Sequence, residues 1–214
     1  MFITWLGHSC FKIQDKIGPE GLTIITDPFD KSINLKPPSL EADIVTVSHG
    51  HYDHNNIKAL RGHPFVVKEA GEYDAKGVAI CGVESYHDAQ HGKERGNNII
   101  YRLEVDDISV VHLGDLGHIL DNKQLEILAG TDILLIPVGG KHTIDAKEAV
   151  EVVAQIEPRL VIPMHYKISG LKLDIDGVDK FIKELGVKPV HEEKLKISKK
   201  DLPAEDMELV ILSL

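Results

Sequence analysis

Residues 44–54 read Ile-Val-Thr-Val-Ser-His-Gly-His-Tyr-Asp-His, a short apolar strand that runs directly into four possible metal ligands. His49 and His51 are two residues apart, so their side chains point to the same face while the chain is extended. Asp53 and His54 follow where the chain turns, so their side chains can reach a second metal position nearby. Imidazole and carboxylate ligands together suit Zn²⁺, Fe²⁺ or Mn²⁺. The segment therefore predicts a metal centre at the end of a buried strand.

Short strands dominate the rest of the first half. Its β-branched and aromatic runs are separated by Gly, Pro, Asn and Asp, which is typical of strands joined by turns. The predicted strands are Phe2–Leu6, Cys10–Ile13, Leu22–Thr26, Ile44–Val47, Phe65–Val67, Val78–Tyr86, Asn98–Glu104 and Ile108–His112. Such a series favours two sheets packed face to face.

The second half alternates strands with helices. Ile133–Pro137 and Leu160–Met164 are continuous apolar runs, as expected for strands that are buried on both faces. Between them Asp145 can cap a helix, with Glu148 as its capping-box partner. Three further elements are predicted, two helices and a last strand: Lys123–Leu128, Gly177–Leu185 and Met207–Leu212. The order indicates an α/β sandwich with helices outside two sheets, in a single domain over residues 1–214.

The composition narrows the class of protein. The chain has 214 residues, and its 34 acidic side chains outnumber 24 Lys and Arg. Net negative charge disfavours binding to nucleic acid or to an anionic membrane surface. The sequence has neither a long apolar run nor a secretory leader, so we expect a cytoplasmic protein with a small-molecule substrate. A homo-oligomer is also expected, on general grounds alone.

The pattern at His49–His54, H-x-H-x-D-H, resembles the metallo-β-lactamase superfamily. Four more segments look like that superfamily's motifs and stand in the same order: Trp5–Phe11, Thr26–Phe29, Leu113–Asp115 and Ile162–Tyr166. The first two are similar to the L-ascorbate-6-phosphate lactonase-like branch. The resemblance implies a four-layer αβ/βα sandwich, with two metal ions at the sheet edges between its halves.

The resemblance also implies a ligand set, in which every member follows a strand: His49, His51, Asp53, His54, His87, Asp115 and His165. Asp115 would bridge the two ions. Either His87 or His112 can complete the first ion's set, and the family pattern matches His87, which leaves His112 to orient a ligand or to pack below it. His8, in the turn after the first strand, is expected to touch the site directly or to hold a hydrogen bond beside it.

The expected cofactors are two divalent transition-metal ions, which would be zinc, manganese or iron, with nickel able to substitute in vitro. Such a pair of ions implies that the protein is a hydrolase. Ions bridged in this way lower the pKa of a shared water molecule and polarise the bond under attack. Asp53 and Asp115 are the expected proton acceptors. The expected substrate is an anionic ester, such as a phosphorylated lactone or a phosphodiester. Glycines and the start of a helix lie beside Lys141 and His142, and such a site can bind an anion. Arg95, on the loop after His87, adds a positive charge.

Two other classes remain open. A redox protein of the same fold would resemble the flavodiiron branch, which places Glu where this chain has His51 and which needs a flavin domain. A metal-binding or sensing protein without catalysis would keep the site but close it to substrate. Metal content and turnover would separate these classes.

Overall fold

Two β-sheets carry the fold in the computed structural model, which describes residues 1–16 and 21–214. The first sheet has six strands, in the spatial order β13 (Leu195–Lys196), β1 (Phe2–Gly7), β2 (Cys10–Asp15), β3 (Leu22–Thr26), β4 (Ile44–Thr46) and β5 (Phe65–Val67). The second has eight: β12 (Val190–Glu192), β14 (Glu208–Leu212), β11 (Leu160–Met164), β10 (Ile133–Pro137), β9 (Ile108–His112), β8 (Asn97–Val105), β7 (Val78–Tyr86) and β6 (Gly71–Ala75).

Three α-helices lie in the second half of the described chain: α1 (Asn122–Leu128), α2 (Ala146–Ile156) and α3 (Asp179–Leu185). The predicted capping box of α2 is confirmed, since the Asp145 carboxylate accepts from the backbone N–H of Glu148, whose side chain accepts from that of Asp145. Three short 3₁₀ segments complete the elements: Lys31–Ile33, Ile57–Ala59 and Lys199–Asp201. Within the described residues, every helix is too short or too polar to span a membrane.

Strand direction places many carboxyl ends at one edge of each sheet. In the first sheet β3, β4 and β5 are parallel, and β1 runs the same way because β2 is antiparallel to both β1 and β3. In the second sheet β9, β10 and β11 are parallel, and β7 shares their direction through antiparallel β8. Side chains that follow these strands therefore collect at the sheet edges.

Apolar packing joins the layers. Alternate residues of β3 divide between two cores: Ile24 packs between the sheets, and Ile25 packs on the outer face of the first sheet. The larger core also takes in the buried sides of α1, α2 and α3. The outer cover of the first sheet comes from loops and a 3₁₀ turn instead of an α-helix, through Phe29, Ile33, Ala42, Leu171 and Ile175. The predicted α/β fold with two packed sheets is confirmed.

Candidate metal centre

Six strand ends deliver polar side chains to one place between the sheets. From the first sheet, His8 follows β1, Asp27 follows β3, and the segment from His49 to His54 follows β4. From the second sheet come His87 after β7, Asp115 after β9 and His165 after β11. All of these are buried except the middle of the segment after β4, where Gly50, His51 and Tyr52 are exposed. The structure thus brings together every residue of the predicted ligand set.

Asp115 lies at the centre of this cluster. Its Oδ2 atom is 3.2 Å from the Nε2 atoms of both His54 and His165, 3.3 Å from that of His87 and 3.9 Å from that of His49. One carboxylate oxygen therefore faces four imidazoles that come from both sheets. This is the position from which a carboxylate can serve two neighbouring cations.

Two groups of donors flank Asp115. The ring nitrogens of His49, His51 and His87 form one group within 4.8 Å of one another, and those of His8, His54 and His165 form the other. Asp53 belongs beside the second group, because its Oδ2 is 3.9 Å from His54 Nε2 and 3.3 Å from His8 Nε2. The arrangement separates the predicted ligands into two sets that share one carboxylate.

His112 stands apart from both sets. It is fully buried, and its Nε2 contacts the carbonyl oxygen of Ser9 at 2.8 Å, while its Nδ1 accepts from the backbone N–H of Gly114 at 3.1 Å. Both ring nitrogens are therefore occupied by backbone partners. His87, not His112, is the histidine that the structure places with His49 and His51.

Burial and charge set the protonation of the cluster. Burial, with a contribution from neighbouring imidazoles, lowers the pKa of His8 to about 4 and that of His49 to about 3, so both rings are neutral at pH 7 and offer a lone pair. Burial opposes the charging of His54, but the carboxylates of Asp115 and Asp27 raise its pKa well above the ordinary value. Burial likewise opposes ionisation of Asp115, yet the surrounding histidines hold its pKa well below normal.

Five buried atoms of the cluster have no hydrogen-bond partner in the described parts of the chain: His8 Nδ1, His49 Nε2, His87 Nδ1, Asp115 Oδ1 and His165 Nδ1. Two of these residues, His49 and Asp115, form a central group of donors with His54. Leaving such an atom unpaired costs about 1–3 kcal/mol, so a buried site normally supplies a partner. For His49 Nε2 and Asp115 Oδ1 a divalent cation would be that partner, and the mixed imidazole and carboxylate donors suit Zn²⁺, Mn²⁺ or Fe²⁺. The residues present fit such ions.

Asp27 supports both sets, although it was not predicted as a site residue. Its Oδ2 is 2.9 Å from His54 Nδ1, and its Oδ1 accepts from the backbone N–H of Ser48 at 2.7 Å. The Ser48 hydroxyl donates to Asp27 Oδ2 and lies 2.9 Å from His49 Nδ1. A carboxylate behind a ligating imidazole fixes the ring orientation and strengthens it as a donor. The signal was present in sequence, since Asp27 directly follows a strand, but Asp before Pro also indicates an ordinary turn.

Replacing Asp27 with Asn should weaken metal binding by about 10–100-fold, the usual effect of losing a carboxylate behind a ligand. The amide keeps the shape but loses the negative charge that faces His54. Competition with a chromophoric chelator measures the change. Asp30→Asn is the matched control, because Asp30 caps a nearby 3₁₀ turn and has no part in the cluster. Equal affinities in the two variants would contradict the role given to Asp27.

The cluster opens into a cavity of about 200 Å³. Beyond the metal-site residues its lining consists of Tyr52, Arg95, His142 and Leu173. Arg95 joins two loops across the opening, because its Nη1 lies 2.7 Å from His142 Nδ1 and its Nη2 donates to the Lys141 carbonyl at 3.1 Å. The predicted residues Arg95 and His142 therefore border the site.

Lys141 has a different place from the one predicted. Its Nζ donates to Asp174 Oδ2 at 2.6 Å, and its side chain does not line the cavity in the described structure. The ion pair is exposed and lies at the rim, since Asp174 follows the lining residue Leu173. The contribution of Lys141 to the opening comes from its carbonyl oxygen, which accepts from Arg95.

The carboxylate of Asp88 anchors the loop that carries Arg95. Asp88 Oδ1 accepts from the backbone N–H groups of Gln90 and Gly92 at 2.8 and 3.0 Å, and its Oδ2 accepts from those of Glu94 and Arg95 at 3.0 and 2.8 Å. Through these four hydrogen bonds the loop from Gln90 to Arg95 folds around the Asp88 carboxylate. The backbone of Arg95 is thereby fixed next to His87, at the edge of the cavity.

Comparison with known proteins agrees with this geometry. The family model described as a beta-lactamase superfamily domain matches residues 2–165. A UPF0173 metal-dependent hydrolase of Carboxydothermus hydrogenoformans is 30% identical over 200 residues, which cover 78% of this chain and 84% of that protein. One from Methanopyrus kandleri is 28% identical and covers 87% and 94% of the two chains.

A solved structure extends the agreement over almost the full length. It is that of a candidate Zn-dependent hydrolase of the metallo-β-lactamase superfamily from Thermotoga maritima, and it is 38% identical to this chain. The superposition has a TM-score of 0.78 and covers 99% of this chain and 97% of that one. The family match, the relatives and the shared fold lead to one conclusion. This chain belongs to the metallo-β-lactamase superfamily.

Proposed function

We propose that the protein is a metal-dependent hydrolase that cleaves an ester-type bond, a lactone or a phosphodiester, in a small anionic molecule. The observation that carries the proposal is the pair of donor sets that share Asp115 at the floor of an open cavity. The Carboxydothermus and Methanopyrus relatives, which are described as metal-dependent hydrolases, support the same class of reaction.

Each donor set would hold one divalent cation. His49, His51 and His87 would bind the first, and Asp53, His54 and His165 the second, with Asp115 shared between them. Ions bound there supply a lowered pKa for water and a positive charge beside the oxygen under attack. No serine or cysteine nucleophile is then needed.

Asp53 is the residue best placed to move a proton. It lines the cavity, and 13% of its side chain is exposed, whereas Asp115 is almost fully buried. Burial favours the neutral acid, but in the metal-free protein the hydrogen bond from His8 and the charge of His54 lower the Asp53 pKa well below its usual value. Asp53 is therefore ionised at neutral pH, and its carboxylate can take a proton from the attacking water and pass it to the leaving group.

The cavity favours a small substrate with a negative group. A volume of about 200 Å³ is small compared with the ~300–1,000 Å³ of drug-sized ligand sites. Burial and the charge of Arg95 lower the pKa of His142, so this ring is neutral at pH 7 and the positive charge at the opening belongs to Arg95. A planar guanidinium matches the geometry of a carboxylate or a phosphate.

Arg95→Gln should raise KM for an anionic substrate about 10–100-fold and change kcat little, because a hydrogen bond to a charged group contributes about 1.5–3 kcal/mol. Steady-state kinetics on an anionic substrate and its neutral analogue measures the difference. Lys93→Gln removes the same charge from an exposed residue of the same loop and should leave KM unchanged. An equal rise in KM for the neutral analogue would count against an anion-binding role.

A screen of the metal-reconstituted protein against lactones, phosphodiesters and thioesters tests the function itself. We expect turnover of a lactone or a phosphodiester that chelation removes, and loss of that turnover in Asp53→Ala. Activity that survives in Asp53→Ala would show that this carboxylate does not move the proton. Oxygen consumption with an air-sensitive chromophore, and no hydrolysis, would replace the proposal with a redox function.

A further inference from the structure

His8 is buried in direct contact with the residues of the second donor set. It is fully buried, its Nε2 is 3.1 Å from His54 Nε2, and its ring centroid is 4.3 Å from that of His165. The same Nε2 is 3.3 Å from Asp53 Oδ2. Three donors of the second set therefore surround one face of His8.

The turn that carries His8 is strained and held in place. His8 has a φ of 55°, in the left-handed region that costs a non-glycine residue about 1–2 kcal/mol. Its carbonyl accepts from Trp5 Nε1 at 2.8 Å and from the backbone N–H of His165 at 3.2 Å. His165 has a positive φ of 52° as well. Strain of this kind persists only where the surrounding structure holds the residue in place.

A hydrogen bond to Asp53 alone does not explain this position. Among the described residues His8 Nδ1 has no partner, so the ring makes its only polar contacts through Nε2. That atom faces His54 Nε2, which itself lies 3.2 Å from Asp115 Oδ2. Neighbouring ligand atoms around an ion at about 2.1 Å lie about 3.0–3.4 Å apart, and opposite ones about 4.2 Å. His8 Nε2 lies 3.1 Å from His54 Nε2 and 3.3 Å from Asp53 Oδ2, and Asp53 Oδ2 lies 3.9 Å from His54 Nε2. These distances fit donors around one point.

We infer that His8 is a fifth protein ligand of the second ion position, which makes the two positions chemically unequal. The inference rests on the proposed metal-dependent function. The first position has three histidines and Asp115, four ligands, the number that zinc commonly takes. The second has His8, His54, His165, Asp53 and Asp115. Five ligands favour an ion that accepts five or six donors, such as Mn²⁺ or Fe²⁺.

Metal binding tests the inference without an activity assay. Metal-free protein is titrated with Mn²⁺ alone, in competition with a chromophoric chelator. Wild type should bind two Mn²⁺ ions, and in His8→Ala one of the two should bind at least tenfold more weakly. His63→Ala, which removes an exposed histidine outside both donor sets, should match wild type. Unchanged Mn²⁺ binding in His8→Ala would overturn the inference and leave the proposed hydrolase standing.

A crystal structure of the metal-loaded wild-type protein provides a second readout that does not depend on a variant. We expect His8 Nε2 to lie about 2.1 Å from the ion at the second position. A His8 ring that makes no bond to an ion bound by His54 and His165 would overturn the inference. A wild-type protein that takes up no metal would overturn both this inference and the proposed function, so the two failures are distinguishable.

Discussion

Replacing Asp115 with Asn should lower turnover by three orders of magnitude or more and weaken metal binding in both donor sets. Asp115 Oδ2 lies within 3.9 Å of four histidine Nε2 atoms, so among the described residues it is the carboxylate that faces both sets directly. The amide keeps the size of the side chain but removes the charge that would hold two cations together. A loss of about 4 kcal/mol of transition-state stabilisation corresponds to a factor of roughly 10³.

Asp107→Asn is the control for this variant. Asp107 is exposed and immediately precedes β9, the strand that Asp115 follows, so the same chemical change is made at the far end of that strand. Metal content and kcat should be unaffected there. Asp115→Asn with more than a tenth of wild-type turnover would show that the shared carboxylate is not needed.

Substituting Gly139 with Ala should destabilise the protein and distort the site. An added Cβ would lie 2.1 Å from the carbonyl oxygen of His165, which is a backbone atom and cannot rotate away. Gly117 lies equally close to the backbone of His87, because a Cβ added at Gly117 would lie 2.4 Å from the carbonyl carbon of His87. The absence of a side chain at these two glycines allows the backbones of His87 and His165 to take their positions. We expect each Ala variant to lose stability at the upper end of about 1–3 kcal/mol.

Urea unfolding of the metal-free protein measures the loss of stability, and chelator competition measures the loss of metal affinity. Gly177→Ala is the control, because a Cβ added at Gly177 would meet nothing within 4 Å and the residue does not have a positive φ. The control should change stability by about 0.5 kcal/mol or less. If Gly139→Ala unfolds at the same urea concentration as Gly177→Ala, the backbone of His165 does not depend on this contact.

The strands that carry the site were predictable because they are buried. The apolar runs Ile133–Pro137 and Leu160–Met164 are strands β10 and β11 in the structure, with the predicted bounds. Three short strands were missed: Gly71–Ala75, Val190–Glu192 and Leu195–Lys196. Each lies at the edge of a sheet and is largely exposed, so its sequence does not alternate between apolar and polar residues. Each forms a strand because it pairs with a neighbouring strand.

The grouping of the candidate ligands was predictable only in part. Both His87 and His112 end or follow a strand, and sequence alone does not fix which side chain faces the metals. The structure separates them because His112 faces the Ser9 carbonyl across the sheets. The ion pair of Lys141 was not predicted, since its partner Asp174 lies 33 residues away. Contacts between distant loops decide such cases, and a local sequence pattern does not contain them.

Metal analysis combined with a chelation and readdition assay tests the central claim most directly. The reconstituted protein should contain about two divalent ions per chain, the number that a shared carboxylate between two donor sets would hold. Chelation should abolish hydrolysis of a lactone or phosphodiester, and readdition of the metal should restore it. Hydrolysis that continues unchanged in protein with no detectable metal would contradict the account.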